Sequence, residues 1–290
     1  NFVGGYSSYA VATGAVVLGV PAYALGDGGI AIGRLAGSEG ESNIAIGNAV
    51  KSAGIGAIGI GNGVDLLGNT SIVIGNAAQT IGAANVVIGV AAGSIATQSI
   101  SIGDFANTSG DRAIAIGQSV AGAGDAVIAI GSVSIASGES AISIGQACKA
   151  SGIAAVAVGT DALASGVACI ALGAETFCSG DLAIAIGNGA ISSLNANIAI
   201  GAGVSANGAG CIAIGKGMAI DGSFAIGIGF GVTANGNGAV ALGNGASANG
   251  LASIAIGNGT VAAGAGCIVL GTGSQASVLN TVVIGNGIVT

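Results

Sequence analysis

Five cysteines and twelve acidic side chains are the residues of this 290-residue chain whose types suit chemistry. The chain contains no His, so the commonest general base and the commonest metal ligand are both missing. Serines are plentiful, but the chain has no His that could act as the base to activate a serine nucleophile. None of the Gly-rich strings carries the Gly-Lys-Ser or Gly-Lys-Thr end of a phosphate-binding loop. We therefore predict a protein that is not an enzyme and that uses no cofactor.

The acidic residues are spaced regularly, and three of them, Asp111, Asp125 and Glu139, follow one another at a constant interval. In successive coils of a repeat their carboxylates would stack at roughly 5 Å and repel one another. A bound Ca²⁺ would relieve that repulsion, because Ca²⁺ prefers carboxylate and carbonyl oxygens. The simpler interpretation, a solvated acidic edge partly neutralised by Arg112, is the one we favour.

The cysteines are odd in number, which argues against a fully paired intrachain framework. Cys169, Cys211 and Cys267 share one position of the repeat, three and four coils apart, beyond the reach of a disulfide between them. An interchain link at that position stays open as an alternative. Cys148 and Cys178 are interpreted as small hydrophobic core residues.

Composition narrows the class of protein. Gly accounts for 59 residues, only 6% of residues are charged, and there is a single Pro. One Pro excludes a collagen helix, and a net charge of −7 argues against binding to nucleic acid. No stretch long enough for a transmembrane helix is free of Gly and polar groups. The chain begins at Asn1 without a basic leader region, so we expect a processed chain or a segment of a longer one.

A stretch of aliphatic, small, aliphatic and Gly residues recurs every 14 residues. Its closing glycines run from Gly19 through Gly33 to Gly285, which makes 20 coils of 14 residues. We number positions from this closing glycine as 0. Positions −3 and −1 are Val, Ile or Leu in every coil, and position −2 is small or β-branched. This alternation predicts a strand, positions +3 to +5 predict a second short strand, and the glycines at 0 and +7 predict turns. Asn at +1 is assigned to left-handed turn conformations.

The predicted fold is therefore all-β: a parallel β-roll or β-solenoid of about 20 coils with two short strands in each. Residues 1–14 form a degenerate first coil, and residues 15–290 form one continuous domain. We expect positions −3 and −1 to point inward and position −2 to point outward as an interface between subunits. The expected core ladder comprises Ile30, Ile32, Ile44, Ile46, Ile114, Ile116, Ile184, Ile186, Ile254 and Ile256. The expected interface comprises Ala31, Ala45, Ala115, Ala129, Ala157, Ala171, Ala185, Ala199, Ala213, Ala241 and Ala255.

The outer position of the short strand, +4, is mixed in character. Lys51, Lys149 and Thr233 occur there, but so do Leu163 and Phe177. The apolar members suggest a second contact surface, for a receptor or for lateral packing, and scattered apolar surface residues are an equal alternative.

The repeat resembles the YadA-type head repeat of trimeric autotransporter adhesins, similar to repeats in fibres of phages and large viruses. The resemblance rests on stretches such as Gly138 to Gly145, which reads GESAISIG, and Gly180 to Gly187, which reads GDLAIAIG. It covers about residues 15–290. It implies a left-handed parallel β-roll, a homotrimer, and attachment to host surfaces or matrix proteins from the surface of a cell or virion.

Two function classes follow. The first is a non-enzymatic adhesin or fibre head that attaches through repeated faces of the roll and acts outside the cell. The second is an extracellular filament subunit that stacks end to end, motivated by a register without evident capping elements. Ice binding is disfavoured because its Thr-x-Thr arrays are absent, although thermal hysteresis would revive it.

Overall fold

The computed structural model describes residues 1–290 as 39 short β-strands with no helix. The chain forms two compact units, residues 1–147 and residues 148–290. Each unit is a parallel β-solenoid whose coil length equals the period of the sequence repeat. Since the chain has no helix, it has none able to span a lipid bilayer.

In the first unit, each coil has a longer strand at positions −3 to −1 and a two-residue strand at +4 and +5. The longer strands are β1 (Phe2–Gly4), β3 (Val16–Leu18), β5 (Ile30–Ile32), β7 (Ile44–Asn48), β9 (Ile58–Asn62), β11 (Ile72–Asn76), β13 (Val86–Ile88), β15 (Ile100–Ile102), β17 (Ile114–Ile116), β19 (Ile128–Ile130) and β21 (Ile142–Ile144). The short strands are β2 (Tyr9–Ala10), β4 (Tyr23–Ala24), β6 (Gly37–Ser38), β8 (Lys51–Ser52), β10 (Asp65–Leu66), β12 (Gln79–Thr80), β14 (Gly93–Ser94), β16 (Asn107–Thr108), β18 (Ala121–Gly122) and β20 (Ile135–Ala136).

The second unit repeats this arrangement, except that β29 and β30 each run through both strand positions of one coil. Its longer strands are β23 (Val156–Val158), β25 (Ile170–Leu172), β27 (Ile184–Ile186), β29 (Ile198–Ala206), β30 (Ile212–Ile220), β31 (Ile226–Phe230), β33 (Val240–Asn244), β35 (Ile254–Ile256), β37 (Ile268–Thr272) and β39 (Val282–Asn286). Its short strands are β22 (Lys149–Ala150), β24 (Leu163–Ala164), β26 (Phe177–Cys178), β28 (Ile191–Ser192), β32 (Thr233–Ala234), β34 (Ser247–Ala248), β36 (Val261–Ala262) and β38 (Gln275–Ala276).

Each strand pairs in parallel with the strand one coil away, and each residue lies beside the residue at the same position of the next coil. In the first unit Ile114 lies beside Ile128, and Asn107 lies beside Ala121. Residues 1–14 already follow this pattern, because β1 pairs with β3 and β2 pairs with β4. The degenerate first repeat therefore folds as a coil like the others.

The interior of each roll is lined by four positions of the coil: −4, −2, +3 and +5. In the coil closed by Gly173 these are Cys169, Ala171, Thr176 and Cys178, and all four are buried. Positions −4 and −2 come from one side of the roll, and they face +5 and +3 on the other. The inward direction of +3 and +5 confirms the expectation from the sequence.

The prediction of which side chains of the longer strand point into the roll was wrong. All eleven alanines expected at the subunit interface, from Ala31 to Ala255, are fully buried inside their own roll. The flanking isoleucines expected in the core, from Ile30 to Ile256, instead point outward and are partly exposed. Position −2 is therefore the core position, and positions −3 and −1 form the outer surface of the strand.

The reason is the narrow space between the two sides of the roll. At Gly227, in position −2, an added Cβ would collide with the side chain of Ile220 on the opposite side. At Gly59 an added Cβ would lie 3.1 Å from Val50 and 3.5 Å from Val64. A large residue on one side is thus matched by Gly on the other, and an Ile at every −2 position would overfill the interior.

Most polar side chains inside the rolls are hydrogen-bonded, with the hydroxyls of Ser52 and Ser253 as exceptions. Asn43 at −4 accepts a hydrogen bond from the backbone N–H of Ala57 in the next coil at 2.8 Å. Its Nδ2 donates to the backbone carbonyl of Ser52 across the roll at 2.9 Å. Asn197 makes the equivalent pair of bonds with Cys211 and Ala206. These amides satisfy backbone groups that water cannot reach, as buried polar groups require.

The closing glycine is required by close stacking as well as by backbone conformation. Gly215 has φ +149°, a conformation that side chains with a Cβ rarely adopt. A Cβ built there would overlap the carbonyl oxygen of Gly229, the closing glycine of the next coil. The same overlap recurs along the column, so any larger residue at position 0 must push neighbouring coils apart.

The left-handed turn residues lie at +2 and +9 and not at +1. Position +2 has φ values such as 54° at Ala49, and position +9 has values such as 56° at Ser42. No Asn at position +1 has a positive φ. The prediction that these asparagines occupy left-handed turns was therefore wrong, and they serve a different purpose that is described below.

We expect Gly215→Ala to destabilise the roll by about 3 kcal/mol or more, because the methyl group would strike the next coil and strain the backbone. Gly217→Ala, in the turn that follows, is the matched control. Gly217 is left-handed at φ +58° but has open space around its Cβ position. Gly217→Ala should therefore lower the free energy of unfolding by only about 1 kcal/mol. Urea unfolding followed by circular dichroism compares the two variants, and equal losses would contradict the stacking argument.

Candidate functional surface

Two columns of aliphatic side chains cover the outer side of the longer strands in each unit. They come from positions −3 and −1, which alternate with the buried position −2. We call this surface the aliphatic face. In the second unit Ile170, Ile184, Ile198 and Ile212 lie side by side along one column. Each is held in place by the parallel hydrogen bonds of its strand, so the surface is preorganised.

The aliphatic face is uncharged and only half-buried. In the first unit its columns are Val16, Ile30, Ile44, Ile58, Ile72, Val86, Ile100, Ile114, Ile128 and Ile142 at −3, with Leu18, Ile32, Ile46, Ile60, Ile74, Ile88, Ile102, Ile116, Ile130 and Ile144 at −1. In the second unit they are Val156, Ile170, Ile184, Ile198, Ile212, Ile226, Val240, Ile254, Ile268 and Val282 at −3, with Val158, Leu172, Ile186, Ile200, Ile214, Ile228, Leu242, Ile256, Leu270 and Ile284 at −1. Contiguous apolar surface of this extent marks a contact surface in soluble proteins.

A second outward-facing apolar cluster lies on the short strands of the second unit. Leu163, Phe177 and Ile191 occupy position +4 of three successive coils and are in register with one another. Phe177 and Ile191 each leave more than a third of their surface exposed. For Leu163 and Phe177 the sequence left a second contact surface and scattered surface residues as equal alternatives. The fold places them beside Ile191 on one side of the roll.

Aspartates at position +8 accept hydrogen bonds from the backbone of the neighbouring coil. Oδ1 of Asp111 accepts the backbone N–H of Thr97 at 2.8 Å, and Oδ1 of Asp125 accepts the backbone N–H of Asp111 at 2.9 Å. Asp27 does the same for Thr13. Asn69 and other asparagines at this position make equivalent bonds. The side-chain oxygen thus accepts a hydrogen bond from a turn N–H that does not take part in the hydrogen bonds between strands.

These contacts correct the candidate calcium site. Asp111, Asp125 and Glu139 do not come together as a group able to hold a metal ion. Two of the three carboxylates are aimed at backbone N–H groups of the preceding coil, as described above.

These hydrogen bonds favour the charged carboxylate. Hydrogen bonds from the backbone and side chain of Thr97, with a smaller contribution from Arg112, hold the pKa of the Asp111 carboxyl below its usual value. The backbone and side chain of Thr13 lower the pKa of Asp27 in the same way.

Asparagines at position +1 form a hydrogen-bonded ladder on the surface of the first unit. Nδ2 of Asn48 donates to Oδ1 of Asn62 at 2.6 Å, and Nδ2 of Asn62 donates to Oδ1 of Asn76 at 3.1 Å. Nε of Arg34 donates to Asn48 at 3.0 Å at one end of the ladder. The recurrence of Asn at one position of successive coils was the sequence signal for this ladder, because in-register stacking brings like side chains together.

The five cysteines are all buried inside the rolls. Position −4 points inward, so Cys169, Cys211 and Cys267 are not placed for the interchain link considered from the sequence. Cys169 and Cys178 share a coil; the Cys169 thiol donates to the backbone carbonyl oxygen of Cys178 at 3.3 Å, and the Cys178 thiol donates to that of Ala183 at 3.4 Å. The neighbouring Cys169 side chain and burial raise the pKa of the Cys178 thiol. The surface of the protein carries no pocket.

Four segments match the family model described as the YadA head domain repeat (2 copies): residues 5–36, 94–119, 150–176 and 234–260. Each segment has about the length of two coils, and each lies in a stretch with the strand pattern described above. The chain carries YadA-type head repeats. Comparison with curated proteins gives no match.

The buried Ala at −2 and the outward Ile at −3 are neighbours that can be tested as a pair. We expect Ala185→Asp to unfold its part of the roll, because an unpaired charge would enter a fully buried position, at a cost of about 3 kcal/mol or more. Ile184→Asp should leave the roll folded, because Ile184 faces outward. Circular dichroism with urea titration distinguishes them, and the opposite ranking would restore the assignment made from the sequence.

The Asp side chains at position +8 that accept backbone hydrogen bonds should make the stability of the roll depend on pH. The lowered pKa of Asp27 and Asp111 means that their contribution is present above the ordinary value of 3.8 and is lost as pH falls through the lower folded value. The double variant Asp27→Asn, Asp111→Asn keeps an acceptor at both sites and should lose less stability on acidification. Urea midpoints measured from neutral to acidic pH test this, and parallel curves for both proteins would refute it.

Proposed function

We propose that this chain is a non-enzymatic adhesin head that assembles as a homotrimer through its aliphatic face. The observation that carries the proposal is the pair of Ile, Val and Leu columns along each unit, which point away from a core already filled by alanine. An obligate interface resembles a protein core cut in half, and these columns have that character. The family of the matched repeats is an adhesin family whose heads form trimers, which supports the same assembly.

The thin core gives a physical reason for assembly. An interior filled mainly by Ala buries little apolar area per coil, whereas each Ile on the outer side has apolar area still exposed to water. Removing that area from water is worth about 25 cal/mol per Å². The contribution repeats in every coil, so many small gains along the face add up to a stable assembly.

Attachment would use the surfaces that stay outward in the assembly. The cluster of Leu163, Phe177 and Ile191 offers apolar contact, and the turns offer Asn and Asp side chains in regular rows. Each contact is small, but three chains and repeated coils would engage a host surface or matrix through many contacts at once. This function places the protein outside the cell, on the surface of a cell or a virion.

The decisive experiment compares two double variants in neighbouring parts of the second unit. We expect Ile184→Asp, Ile186→Asp to break the trimer, because carboxylates cannot be buried together at the interface without partners. Asn188→Asp, Asn195→Asp adds the same charge at the turns of the adjacent coil and should stay trimeric. Light scattering measures the mass, which should be about 79 kDa for a trimer of 26.4 kDa chains.

Attachment of the wild-type protein and of the two double variants is measured on surfaces coated with extracellular matrix. The monomeric variant should bind at least about 10²-fold more weakly, because avidity is lost with the trimer. A wild-type protein that is monomeric, or an aspartate pair that leaves the trimer intact, would overturn the proposal. A mass that grows without limit with concentration would support the alternative function, an end-to-end filament, and would count against a discrete head.

A further inference from the structure

Positions −4 and +5 of one coil bring two side chains into direct contact across the interior of the roll. The first unit shows how close they come. Ser99 at −4 and Thr108 at +5 have their hydroxyl oxygens 2.9 Å apart, and both residues are buried. Ser99 also lies 2.7 Å from Ser94, the +5 residue of the preceding coil. Atoms one bond beyond Cβ therefore meet at this pair of positions.

Cys169 and Cys178 occupy this same pair of positions in the coil closed by Gly173. Both are completely buried, and Sγ of Cys169 lies 3.3 Å from the backbone carbonyl oxygen of Cys178. Sγ of Cys178 lies 3.4 Å from the backbone carbonyl oxygen of Ala183, the −4 residue of the next coil. A disulfide needs Cβ atoms about 3.5–4.5 Å apart. The 2.9 Å contact between the γ oxygens of Ser99 and Thr108 shows that side chains at these two positions point toward each other.

We propose that Cys169 and Cys178 form an intrachain disulfide that ties the two strands of their coil together. The bridge would join the residue just before β25 to the end of β26 through the interior of the roll. It requires no partner chain, so it is independent of the proposed function and of the oligomeric state.

Cys211 and Cys267 each face a residue other than cysteine at +5 of their own coil. Cys211 also stands at −4, but the residue at +5 of its coil is Ile220, whose carbonyl oxygen accepts from the Cys211 thiol at 3.6 Å. Cys267 is followed at +5 by Ala276. Cys148 stands at +3, the other inward position of the short strand, and its thiol donates to the carbonyl oxygen of Ala157. Of the three cysteines at −4, Cys169 is therefore the one with a cysteine at +5 of its own coil.

The bridge would form by exchange with a small-molecule disulfide such as oxidised glutathione. One thiolate of the pair attacks the oxidant and releases one glutathione thiol, and the second thiolate attacks the mixed disulfide and releases another. The two cysteines are oxidised, and the oxidant is reduced to two thiols. Because both sulfurs are buried in the folded roll, the exchange takes place while the coil is open during folding.

The test uses the full chain and a variant with Cys148→Ala, Cys211→Ala and Cys267→Ala, which retains only the proposed pair. Ala occupies the same positions in other coils, such as Ala15 at −4 and Ala22 at +3, so the variant should fold. Both proteins are refolded in a mixture of reduced and oxidised glutathione and then alkylated in denaturant. We expect two thiols per chain to escape alkylation in both proteins. The mass of the triple variant should then be about 2 Da below that of its reduced, unalkylated form.

Cleavage after Glu175, which lies between the two cysteines, locates the bridge. The fragments bearing Cys169 and Cys178 should stay joined without reductant and separate once reductant is added. The oxidised triple variant should also unfold at a higher urea concentration than its reduced form, because the bridge restricts the unfolded chain. The further single changes Cys169→Ala and Cys178→Ala in that variant should abolish the mass loss, the linked fragments and the shift.

The proposal fails if the refolded full chain, native by circular dichroism, retains alkylatable thiols at both Cys169 and Cys178. It fails equally if these residues carry glutathione adducts or link two chains together. The full chain needs no substitution for this readout, so a folding defect in a variant cannot hide the answer.

Discussion

The distance between successive coils is the constraint on which this fold depends. At the closing glycine the backbone of one coil lies so close to the carbonyl oxygen of the next that no side chain fits between them. This close approach allows parallel hydrogen bonds in both strands and in both turns of the coil. Stacking of the coils therefore requires Gly at position 0. It also requires a repeat without insertions or deletions, because one extra residue would break the column of glycines.

The same compact coil leaves little room inside the roll. Alanines and small polar residues fill the interior, and the few larger residues, such as Ile220, face a glycine. The aliphatic residues that carry most of the hydrophobic surface are left on the outside. A protein built in this way has a satisfied backbone but an apolar outer sheet, and the proposed trimer would remove that sheet from water. Folding and assembly are in this sense two parts of one burial of apolar surface.

The polar residues that first suggest chemistry mainly serve the backbone. Asp111 and Asp125 accept hydrogen bonds from turn N–H groups, Asn43 and Asn197 do so inside the roll, and the asparagines at +1 bond one another. Repetition explains this use, because a polar atom at one position can always reach the same position one coil away. Function in such a chain belongs to extended surfaces, and the cysteine pair is the exception because it does not repeat.

Much of this protein can be predicted from its amino-acid sequence, because the constant period, the Val and Ile strands and the glycine columns are local or periodic features. They predict the coil, the two strands, the parallel pairing and the YadA-type repeat. The direction of the side chains could not be predicted in this way. Alternation at −3, −2 and −1 says that neighbours point to opposite sides, but both Ala185 and Ile184 are apolar, so hydrophobicity does not identify the inner one. Only the width of the folded roll decides it: the space fits Ala and excludes Ile. The contact between Cys169 and Cys178 likewise depends on how two strands face each other across that width.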